Sequence, residues 1–208
     1  MQKRTKSFVG TRPVFTGAPS LEIGGYTLDK TNQTFNEGDI IPTGTMLIPD
    51  ESTKKVLVVK SAKVKAIDSN NAKKVTLVSD DFVTPIFAVG DHVEKAAGGD
   101  FTDAPTIEAI EDGANGYIVT LSAAITGLAA GDIIEEVVNG ASDKAAFRTG
   151  TAISTSAVEV TKDEVCVGVC KDTMQYAVYE RRILPVRSAL KTGDLLTANV
   201  HIRFTQSK

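Results

Sequence analysis

Tryptophan is absent from these 208 residues, aromatic side chains make up only 6%, and there are two cysteines and two histidines. Each scarcity removes a class of function. Cys166 and Cys170 stand in an alternating apolar stretch, where extended chain at ~3.3 Å per residue holds their Cα atoms about 13 Å apart, beyond the roughly 7 Å that a disulfide spans. Buried free thiols are therefore expected. No metal site is expected, because His92 and His201 are isolated and further ligands at suitable spacing are missing. The same two histidines offer little to nucleophilic catalysis, which needs a base beside the nucleophile and a third group to orient it. Neither glycine-rich phosphate cradle occurs, so no cofactor is expected. Paired acids occur at Asp80-Asp81 and Glu135-Glu136 and read as surface decoration, so the expectation is a protein that is not an enzyme.

Other absences concern location. No apolar run approaches the ~18 residues of a membrane-spanning helix, and the start of the chain lacks the apolar block of a signal peptide. The chain is expected to be made and kept in the cytoplasm unless something else carries it out. A net charge of -3 gives no global attraction for nucleic acid or an anionic membrane.

What is present is Val, Ile, Thr, Gly and Ala, with 42% hydrophobic and 24% charged residues, a composition of strands and turns. Residues 63–138 read twice. The first pass is Lys63-Val64-Lys65-Ala66-Ile67-Asp68, Lys74-Val75-Thr76-Leu77-Val78-Ser79 and Ala88-Val89-Gly90-Asp91-His92-Val93-Glu94. The second is Thr106-Ile107-Glu108-Ala109-Ile110-Glu111-Asp112, Tyr117-Ile118-Val119-Thr120-Leu121-Ser122 and Ala129-Ala130-Gly131-Asp132-Ile133-Ile134-Glu135. Ala66 maps to Ala109, Val75 to Val119 and Gly90 to Gly131. Two copies are too few for a solenoid, so the halves should pack on each other about a pseudo-twofold axis and close a small β-barrel or sandwich.

Gly-Asp turns followed by apolar residues occur at Gly38-Asp39, Gly90-Asp91, Gly131-Asp132 and Gly193-Asp194. Glycine supplies a positive φ and aspartate bonds nearby backbone, so the recurrence is a folding signal; calcium would need denser acids. Strands are expected at 26–29, 34–35, 42–48, 54–60, 157–161, 165–170, 174–184 and 199–204. A short helix is expected over 139–146, with 123–128 as the runner-up. The expected fold is mainly β: a basic arm at 1–12, a flanking β-domain from 13–60 plus 141–208, and the duplicated module inserted at 61–140.

Lys3, Arg4, Lys6 and Arg12 face no acid within the arm, which also carries Phe8. The opening Lys3-Arg4-Thr5-Lys6-Ser7-Phe8-Val9-Gly10 with Gly17-Ala18-Pro19, and the closing Arg181-Arg182-Ile183-Leu184-Pro185-Val186 with Asn199-Val200-His201-Ile202-Arg203-Phe204, resemble head fiber and head decoration proteins of tailed bacteriophages. The resemblance implies a β-rich, non-enzymatic virion protein, commonly a homotrimer, bound to the major capsid protein on the outer capsid surface. Such families have no fixed catalytic residues to carry over. The expected capsid contacts are Lys3, Arg4, Lys6, Phe8, Arg12, Arg181 and Arg182, with three arms of a trimer acting together. The alternative is an adhesin whose outward module takes a host-surface glycan, for which Phe82, Phe87, Phe101 and Tyr117 are the aromatic candidates.

Overall fold

Short apolar alternations separated by glycine turns can bury their side chains only by pairing strands into sheets that leave few free edges. The computed structural model describes residues 12–22, 24–96, 104–113, 116–138, 145–173, 175–187, 190 and 201–206. Its strands are, in the first part, β1 (Tyr26–Leu28), β2 (Ile40–Ile41), β3 (Met46–Asp50) and β4 (Lys55–Val58). The duplicated part gives β5 (Ser61–Ile67), β6 (Lys74–Leu77), β7 (Val93–Lys95), β8 (Ile107–Gly113), β9 (Gly116–Leu121) and β10 (Ile133–Val138). The remainder gives β11 (Ala146–Phe147), β12 (Ala152–Ser154), β13 (Val158–Glu159), β14 (Cys166–Val167), β15 (Val169–Cys170), β16 (Val178–Tyr179) and β17 (Phe204–Thr205).

The duplication builds a barrel with internal twofold symmetry. β6 and β9 pair antiparallel with Val75 opposite Val119, so equivalent residues face each other across the axis. On the far side β7 and β10 pair with Glu94 opposite Glu135, again equivalent positions. Each copy closes on the other in the same way. The amide of Gly131 donates to Val64 O while that of Val64 donates to Asp132 O, and the amides of Gly90 and Ile107 repeat this with Ile107 O and Asp91 O. An isolated bridge between His92 and Thr106 joins β7 to β8 and completes the circuit β5-β6-β9-β8-β7-β10. Even the irregularities repeat: the register shifts between Val64 and Ala66 and between Ile107 and Ala109. This bulge turns Ala66 outward, although simple alternation puts it inside with Ala62 and Val64. Val64, Val75, Leu77, Phe87, Val119, Leu121 and Ile134 fill the interior, each stabilising by roughly 1.5–3 kcal/mol through burial.

A second sheet, ordered β14-β1-β4-β3-β12-β15, also returns on itself, because β14 and β15 are one segment interrupted at Gly168. A side chain at Gly168 would place its Cβ 2.3 Å from Thr155 Oγ1, so glycine is required where the segment bends from one neighbour to the other. Tyr26, Leu28, Leu47, Val56, Val58 and Val167 make up its core. A separate two-stranded ladder, β2 with β13, also uses the Gly-Asp turn: Gly38 N donates to Val160 O and Val160 N to Asp39 O, the arrangement seen twice in the duplicated barrel.

A third cluster forms where both ends of the described chain wrap this barrel, and it contains Val14, Met46, Val178, Ile183, Val186 and Ile202. Gly44, at φ +81°, lets them approach; a Cβ there would lie 2.4 Å from Ile183 Cγ2 and 2.7 Å from Val14 Cγ1. Phe15 bridges Val178, and β16 pairs in parallel with β17.

Several expectations are corrected. The 174–184 strand shrinks to β16, and Glu180–Arg182 forms a 3-10 turn instead. Residues 199–200 of the closing strand lie outside the described residues; among the described ones only Phe204–Thr205 is a strand, although Ile202 is buried and His201 and Arg203 are exposed as the alternation requires. Residues 34–35 are not a strand, and 123–128 are turns rather than helix. Of the helix expected over 139–146, residues 139–144 lie outside the described residues and Ala146 belongs to a strand. Cys170 is buried but Cys166 is exposed, because the bend at Gly168 puts the two thiols on different sides of their segment.

Candidate functional site

The arm's last residues and the 3-10 turn, far apart in sequence, meet in space. Arg12 Nη2 donates to Arg181 O at 3.0 Å, and Arg182 Nη1 donates to Pro13 O at 2.7 Å. Arg12 also pairs with Asp80 at 3.2 Å and lies over the Phe82 ring, while Arg182 stacks 4.3 Å from the centre of the Tyr179 ring. Three of the seven expected contact residues, Arg12, Arg181 and Arg182, are thus one cluster. Lys3, Arg4, Lys6 and Phe8 lie outside the described residues.

Beside this cluster a cleft of about 360 Å³ runs between the duplicated barrel and the segment after the turn. Val78 and Ile133 line the side of the duplicated barrel and Ile183, Leu184 and Val186 the other, with Val83, which packs on the core of the first barrel, also in the lining. Val78 is 44% exposed and Phe82 40%, so apolar surface at and near the cleft faces solvent. Lys63 and Arg181 also line it; both are exposed, and among the described residues neither side chain has an ion-pair partner. Asp80 and Glu180 add acid, with Asp80 taken by Arg12. An apolar floor beneath uncommitted cations suits an extended segment that carries apolar and acidic side chains together.

The aromatic side chains considered for sugar stacking are mostly unavailable. Phe87 is fully buried, Tyr117 is buried with its hydroxyl donating to Phe87 O, and Phe101 lies outside the described residues, leaving Phe82. His92 Nδ1 donates to Ala104 O at 2.9 Å, and His201 is exposed. Among the described residues no group of three His, Cys, Asp or Glu could hold a metal ion, and no helix is long and apolar enough to cross a membrane.

A second concentration of charge lies at the seam between the barrels, and sequence reading missed it. Glu135 and Glu136 are buried, not surface decoration, because the other barrel and the segment leading to Arg187 cover β10. Lys60, with no exposed side-chain surface, pairs with Asp91 at 2.6 Å, donates to Thr34 O and sits 4.7 Å above the Phe35 ring. Glu136 accepts from Arg148 Nε at 3.2 Å and from Gln33. Burial pushes the Asp91 carboxyl up, against the pull of Lys60. Asp80 and Asp81, by contrast, are exposed as expected. The signal for the seam is a lysine, Lys60, directly after the apolar run Val56-Leu57-Val58-Val59, where a solvated charge would be out of place.

Compared with family models, curated proteins and solved structures, the chain matches none of them.

Proposed function

We propose that this chain is a non-enzymatic virion structural protein, a head fiber or decoration protein that binds the outer surface of a phage capsid. The supporting observation is the meeting of Arg12, Arg181 and Arg182 beside the cleft between the duplicated barrel and the segment after the 3-10 turn. The partner is the major capsid protein, engaged through an extended acidic and apolar segment lying in the cleft. The basic arm adds a second, electrostatic contact, and a homotrimer multiplies both.

Arg12 and Arg182 each hold backbone of the neighbouring segment, so their removal would disturb the site itself. Lys63 and Arg181 make better probes. In co-sedimentation with capsids that lack this protein, the double variant Lys63→Glu, Arg181→Glu should lose at least tenfold in affinity, and deletion of residues 1–11 should lose further occupancy. Full occupancy by both variants would defeat the proposal. A signal on a glycan array that disappears with Phe82→Ala would favour the adhesin reading instead.

A further inference from the structure

Glu135 lies at the centre of the seam. It pairs across β10 with Ser61 of β5 on one side and with Glu94 of β7 on the other, and its side chain is 1% exposed. Neither carboxylate oxygen has a hydrogen-bond partner. Arg187 Nε stands 3.4 Å from Oε1 without making a hydrogen bond.

Most groups that could satisfy it are committed elsewhere, and Arg187 Nε, the nearest cationic donor, is itself left without a hydrogen-bond partner. Arg187 donates through Nη2 to Arg148 O at 2.9 Å and lies over the Phe147 ring. The Ser61 hydroxyl donates to Pro185 O. Lys60 is held by Asp91 and Thr34, and Arg148 by Glu136. Across the seam the remaining titratable neighbours, Glu94 and Glu136, are themselves acidic. A carboxylate so placed costs free energy to keep charged.

We propose that Glu135 is a proton-operated latch on the seam: protonated, it allows β10 and the segment ending at Arg187 to pack dry, and ionised, it loosens them. Burial, opposed by Arg187 and reinforced by Glu136, raises its carboxyl from 4.5 to about 7. An acid raised in this way contributes its stability below the free value near 4.5 and loses it as pH climbs through the folded value. The seam is therefore tightest in mild acid. If the opened seam returns the carboxyl to its free value, the opening equilibrium rises by tens of fold between about pH 5 and pH 8.

Native-state hydrogen exchange on the full chain reads this directly, at amides 58–62 and 133–137, after correction for the intrinsic pH dependence of exchange. The wild type should lose protection by tens of fold over that interval, Glu135→Gln should be flat, and Glu136→Gln, which removes only the smallest of the three influences on Glu135, should keep most of the wild-type slope. A flat wild type, a sloping Glu135→Gln or a flat Glu136→Gln would overturn the proposal. Should Glu135→Gln fail to fold, carboxyl-carbon NMR on the wild type decides: a Glu135 midpoint near 7 supports the latch, and one near 4.5 removes it.

Discussion

Asp91 and Asp132 occupy the same place in two copies of one turn, each accepting the amide three residues earlier, from Ala88 at 2.8 Å and Ala129 at 2.7 Å. Their surroundings separate them. Asp132 pairs with the partly exposed Lys95, whose hydrogen bond lowers its carboxyl pKa, whereas Asp91 is buried against Lys60 and raised by desolvation. Breaking a buried pair strands the remaining charge at a cost of about 3–5 kcal/mol, while an exposed pair contributes little. Asp91→Ala should therefore destabilise the protein by about 3–5 kcal/mol in denaturant unfolding, and Asp132→Ala by much less. Similar losses would mean that the turn bond, not the buried lysine, sets the cost. The sequence shows the two turns as equivalent, and locally they are. What separates them is the lysine ending the apolar run of the first barrel, a contact 31 positions away that no local pattern encodes.

At the scale of elements, the repeat was readable because both its ingredients are local: side chains alternate along each strand, and Gly-Asp marks the re-entry to the sheet. Strand pairing and symmetric registers follow from those ingredients; the shared bulge, which turns Ala66 against the alternation, does not. The 174–184 segment misled because apolar residues stand on both sides of the charged run Glu180-Arg181-Arg182 and suggest one continuous strand, whereas the chain tightens at that run into a 3-10 turn. The position of Arg181 on the cleft depends on that turn, so the contact residues could be named from sequence while their arrangement could not. Glu135 and Glu136 escaped notice for a related reason: what covers them is a different module. Ladder length gives a further expectation. In hydrogen exchange, amides at the centre of β6 and β9, enclosed on both sides, should be the slowest in the duplicated barrel. Those of β16 and β17, a two-residue parallel ladder, should exchange far sooner. The reverse order would show that the twofold axis is not where this barrel is most strongly held.

For the whole molecule, the net charge of -3 coexists with an arm that has four cations and no acid, so attraction is localised rather than global. Under the proposed attachment to capsids, binding should weaken steeply as ionic strength rises from about 0.05 to 0.5 M, where the screening length falls below ~5 Å. Capsid sedimentation across that series measures it. Salt-insensitive attachment would assign the contact to the apolar floor of the cleft alone.

The pairing of Ser61 with Glu135 puts the beginning and the end of the duplicated barrel side by side. The strands on which the chain leaves the first barrel and comes back, β4 and β12, both border β3. From the first barrel's point of view the whole excursion of the second is a loop with adjoining feet. Its length and contents can change in evolution without rewiring the strands beneath it, and a foreign domain with neighbouring termini could be grafted in its place.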